Sequence, residues 1–81
     1  MTQDGWERPA PEITEDQRQL LMSTLMEDGT TAWDYVLTKK TESQPWIAAG
    51  ILSCMKKDYN LNPMVVNWEA RDLRYNRQSG K

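Results

Sequence analysis

The chain has 81 residues, 38% of them apolar and 27% charged, with a formal net charge of −2. A chain of that length has no material for a second independent core, and it buries only roughly 60–65% of the surface it exposes when unfolded. It contains no histidine, so the side chain most used as a general base near neutral pH, and the commonest metal ligand, is excluded from any site built here.

The near-neutral total hides a polarised molecule. From Met1 to Thr38, eight carboxylates face two arginines, a local charge of −6. From Lys39 to Lys81, eight cations face four carboxylates, a local charge of +4. Such asymmetry serves either an internal electrostatic match or a charged partner. A single cysteine, Cys54, excludes an intramolecular disulfide and fits a reducing compartment. The N-terminal residues carry no positive region followed by an apolar stretch, so no secretory leader is expected. No run approaches the roughly 18 apolar residues of a membrane span. The expected location is cytoplasmic.

Residues 1–12 read as a flexible lead, because Pro9 and Pro11 bias their predecessors away from helix. Trp6 is out of character there, and either packs back onto the domain or anchors a partner. The helical domain is expected at 13–77, with 78–81 frayed. Thr14 and Gln17 have the spacing of a reciprocal capping box, and Glu15 and Asp16 suit the positive end of a helix dipole. The apolar stripe Leu21, Met22, Leu25 and Met26 predicts a helix body from Gln17 to Asp28, with Gly29 as its left-handed terminator.

Thr30 or Thr31 then caps a short second helix through about Lys39, with Trp33, Val36 and Leu37 inward. Its β-branched and aromatic content leaves a short strand as the alternative for residues 32–38. Ser43 as cap and Pro45 in the first turn begin a third helix, about Gln44 to Tyr59. Its face carries Ile47, Ile51, Cys54, Met55 and Tyr59, with Ala48 and Leu52 beside them. The small residues Ala48, Ala49 and Gly50 predict a crossing point for another helix, since Gly in a helix interior otherwise costs about 1 kcal/mol relative to Ala. The same patch would serve between chains in a homo-oligomer. Asn60 is expected to end this helix in the left-handed region. Asn62 then caps a last helix from Pro63 to about Asn76, with Val65 or Val66, Ala70 and Leu73 as its buried stripe. The pattern predicts an all-α fold, a small bundle of three to four helices.

Catalytic and cofactor chemistry finds little to stand on. One cysteine without histidine makes neither a Cys–His pair nor a zinc site of usual composition, and the four isolated glycines make no phosphate loop. The pairs Glu15–Asp16 and Glu27–Asp28 are adjacent in sequence, so on a helix their side chains diverge instead of converging on a substrate. Cys54 reads as a small buried hydrophobe. No enzyme, no cofactor and no metal is expected.

Two binding readings remain. In the first, the chain is a protein-binding module such as an inhibitor, adaptor or assembly factor. Exposed Trp68 and Tyr75 would act as apolar anchors, and Arg71, Arg74 and Arg77 would meet an acidic surface. Trp46, at the start of its helix, is a further candidate for exposure. Small accessory proteins of phages and mobile elements are similar in general character, with no motif behind the likeness. In the second reading, residues 47–77 form a helix-turn-helix-like unit that binds DNA. Asn67, Arg71 and Arg74 would face base edges, and Lys56 and Lys57 the phosphates. The pI of 5.0 and the presence of Glu69 and Asp72 on the last helix weigh against it.

Overall fold

The computed structural model describes residues 10–79, with side chains described to Arg74. The expected lead therefore lies outside the described residues up to residue 9, Trp6 included, as do residues 80 and 81. The fold is all-α: helices α1 (Glu15–Met22), α2 (Ala32–Leu37), α3 (Gln44–Lys56) and α4 (Pro63–Ser79), with a 3-10 turn at Thr41–Ser43 leading into α3. The central element is α3, which packs against each of the other three helices.

The start of α1 is the predicted capping box. Thr14 Oγ1 accepts from the Gln17 amide at 3.1 Å while Gln17 Oε1 accepts from the Thr14 amide at 3.0 Å. Its end is six residues earlier than the apolar stripe suggests. The Thr24 hydroxyl donates to the Leu20 carbonyl at 2.7 Å and the Ser23 hydroxyl to the same oxygen at 3.1 Å. Hydroxyls that bond nearby backbone compete with helix propagation. The chain then folds back on itself through a single bridge, Leu25 with Thr31, and the Met26 amide donates to the Thr30 carbonyl at 2.6 Å. Gly29 takes the expected positive φ of 96°, within this turn rather than at a helix end. Of the predicted stripe, Leu21 and Met26 are buried, whereas Met22 and Leu25 face water.

Residues 32–37 are helical, not a strand. Thr31 caps α2 by accepting from the Asp34 amide at 3.1 Å. Its buried side chains are Ala32, Tyr35 and Val36, so the expected inward face is rotated: Leu37 is exposed and Trp33 only half-buried. Pro45 lies in the first turn of α3 as predicted, but the Ser43 side chain makes no capping hydrogen bond.

The C-terminus of α3 comes earlier than Tyr59 and by another residue than Asn60. Asp58 adopts φ 63°, its amide donates to the Met55 carbonyl at 3.2 Å, and the Tyr59 amide donates to the Cys54 carbonyl at 2.9 Å. These two bonds are the Schellman pattern, with Asp58 in the position glycine usually holds. Tyr59 is consequently outside the helix and exposed. Asn62 caps α4, its Oδ1 accepting from the Met64 amide at 2.9 Å, and its Nδ2 also donates to Glu27 Oε1 at 2.6 Å. That second bond ties the acidic turn to the start of α4. The last helix runs three residues beyond the expected Asn76, to Ser79.

The core is gathered around α3, which contributes Trp46, Ile47, Ala48, Ile51 and Cys54; α4 adds Val66 and Ala70. At the predicted crossing, a Cβ on Gly50 would stand 2.9 Å from the Val66 carbonyl oxygen and 3.0 Å from the Ala70 nitrogen. The patch is thus occupied by α4 of the same chain, which leaves Gly50 and the fully buried Ala48 no role between chains.

Candidate functional site

Val66 and Ala70 commit one face of α4 to the core, and helical spacing fixes what the other side presents. Met64, Asn67, Trp68, Arg71 and Arg74 all lie on the exposed side. Trp68 is 62% exposed and Met64 68%, the two large exposed apolar side chains among the described residues of this helix. Between this side and the start of α3 runs an open cleft of about 250 Å³. Its apolar walls are Trp46, Ile47, Met64, Trp68 and Ala70, and its rim carries Ser43, Asn67, Arg71 and Arg74.

Both arginines of the cleft sit over indoles. The Arg71 guanidinium carbon is 5.4 Å from the Trp68 ring centre, and that of Arg74 is 5.8 Å from the Trp46 ring centre. These distances are within cation–π range, and such contacts hold long side chains in place without using their N–H donors. Neither arginine forms a salt bridge among the described residues. Trp68 forms a ridge. On its other side lies a second groove lined by Tyr59, Val65, Glu69 and Asp72. The cleft side of the indole carries Arg71 and Arg74, and the far side carries Asp72, with Glu69 there neutralised by Lys57.

The residues singled out in the sequence separate into groups. Trp68, Arg71 and Arg74 come together at one cleft. The side chains of Tyr75 and Arg77 lie outside the described residues. Trp46 is not an exposed ring; it is 8% exposed and forms the cleft wall from the core side. Asn67 is at the rim, but its Oδ1 accepts from the Tyr35 hydroxyl at 3.3 Å. Lys57 donates to both oxygens of Glu69 at 3.3 Å, and Glu69 also accepts from the Ser53 hydroxyl at 3.1 Å. Lys56 is exposed on α3, away from the cleft. Met64 was not among the expected residues. Its signal was available: it stands four positions before Trp68, on the same face, once Val66 is assigned to the core.

Elsewhere the described residues hold little site chemistry. Cys54 is fully buried, and burial pushes its thiol pKa up, with the Glu69 charge adding to the effect. That is the opposite of what a reactive thiolate requires. Among the described residues no three His, Cys, Asp or Glu side chains are grouped as metal ligands. No helix among them is long and apolar enough to cross a membrane. Comparison with protein-family models, with characterised proteins and with solved structures finds no match.

Proposed function

We propose that this chain is a small, non-catalytic protein-binding module of the cytoplasm, acting through the outer face of α4. Met64 and Trp68 are its apolar anchors, and Arg71 and Arg74 meet an acidic surface on the partner. The observation that carries this reading is Trp68, an indole 62% exposed beside an exposed methionine and two arginines with no salt bridge among the described residues. Tryptophan and arginine are the types that dominate the energetics of protein interfaces. A largely exposed indole contributes little to the core, so the fold does not account for it.

The DNA-binding reading has less support. Of its five residues, Asn67 and Lys57 already have partners within the chain, and Glu69 and Asp72 flank the remaining arginines on the same helix. Affinity capture from cells of the source organism, with wild type and Trp68→Ala compared, tests the preferred reading. Trp68→Ala should weaken retention of a specific protein about tenfold or more while the circular-dichroism spectrum is unchanged. Equal retention by both proteins overturns it, and so does a duplex affinity that falls steeply with salt and depends on Arg71.

A further inference from the structure

The cleft between α3 and α4 has a shape and charge that restrict its occupant. Its volume of about 250 Å³ falls below the roughly 300–1,000 Å³ of small-molecule sites. It has room for a large side chain, not for a cofactor. Its floor and walls are apolar, and its charged groups stand at one end. From Met64 to Arg74 the helix rises about 15 Å, which an extended chain covers in four or five residues at about 3.3–3.6 Å each. Arg71 and Arg74 are three positions apart, so their side chains are neighbours on the helix surface and can meet one carboxylate or two adjacent ones.

Building on the protein-docking reading above, we infer that the cleft takes a short acidic segment of another protein, whose one large apolar side chain enters between Trp46 and Trp68. Carboxylates within four or five residues of that side chain bind Arg71 and Arg74. Charge complementarity selects this occupant. The two guanidiniums have no carboxylate partner among the described residues. Asp72, beyond the Trp68 ridge and without a salt bridge among the described residues, sets the length of the acidic stretch. A short segment stays on the cationic side, whereas a long polyanion such as duplex DNA runs into this carboxylate. The arginines also have the fork geometry that carboxylates accept.

The test uses the full chain and a synthetic nine-residue peptide with a central tryptophan flanked by aspartate and glutamate. Two control peptides carry lysine for every acid, or alanine for the tryptophan. Binding is followed in nitrogen–proton correlation spectra through the indole N–H signals of Trp46 and Trp68. The acidic peptide should move both signals. Its affinity should fall about tenfold or more with the alanine control, with Arg71→Ala and Arg74→Ala together, and on raising salt. Retained dispersion of the other amide signals shows that the double variant is folded; should it unfold, the charge-keeping Arg71→Lys/Arg74→Lys pair replaces it and should still weaken binding by loss of the fork. Absence of shifts at millimolar peptide, equal binding of the lysine peptide, or shifts confined to other surfaces overturns the inference. Should the peptide fail while a captured partner still depends on Trp68, this inference falls and the docking reading stands. A duplex oligonucleotide that moves the same indole signals overturns both.

Discussion

At Gly50 two physical preferences oppose each other. Alanine is the better helix former by about 1 kcal/mol, yet its Cβ would lie 2.9 Å from one backbone atom of α4 and 3.0 Å from another. Backbone atoms of a packed helix cannot step aside as a flexible side chain can, so the steric cost wins. Gly50→Ala should therefore destabilise the fold, by about 1–3 kcal/mol, read as a lowered urea midpoint. A raised midpoint would show that α4 is not held at this distance. Charge at the surface is more permissive, and pH reveals it. Hydrogen bonds from the Thr30 amide and hydroxyl hold the Asp28 carboxyl below its ordinary pKa, and bonds from Arg18 and Gln19 do the same for Glu15. A depressed folded-state pKa means the unfolded chain takes up the proton first. The contribution is complete above the unfolded values of about 4 and is lost as pH falls through the folded ones. Both carboxyl carbons should titrate below ordinary carboxylates in an NMR pH series, and ordinary values at both would contradict the bonding described.

At the level of elements, start signals were legible and stop signals were read less well. Thr14, Thr31 and Asn62 each cap the helix they precede, because capping depends on a side chain and an amide two or three residues away. The end of α1 depended on a competition. Its apolar spacing continues to Met26, but Ser23 and Thr24 both bond the Leu20 carbonyl and the chain turns back instead. The end of α3 at Lys56 is set by Asp58, two residues on, where a left-handed conformation is carried by a residue with a Cβ. That conformation costs a non-glycine residue roughly 1–2 kcal/mol, less for aspartate. Asp58→Gly should thus raise stability by up to about 1 kcal/mol in thermal or urea unfolding. An unchanged or lowered midpoint would mean that the Asp58 side chain contributes more than its backbone conformation costs.

For the whole molecule, the described tryptophans divide by location: Trp46 in the core, Trp33 half-buried against it, and Trp68 largely in water. Trp46→Ala should cost about 3–5 kcal/mol, a large part of what a small domain possesses. Trp68→Ala should shift stability by no more than about 0.5 kcal/mol. Comparing the two unfolding midpoints checks the division, and equal losses would place Trp68 in the core. Among the described residues the charge polarity is not resolved by pairing the two halves of the chain, since each of their two salt bridges stays within one half. Sequence by itself determined the all-α class, the four helix starts, the Gly50 crossing and the burial of Cys54, because caps, periodicity and close approach are local or nearly local signals. Only the tertiary structure decided which indole faces water, where α1 and α3 end, and that Lys57 and Asn67 are engaged while Arg71 and Arg74 share a cleft. Those outcomes depend on which face each helix turns to its neighbours, and a helix with apolar residues on more than one side leaves that choice to packing.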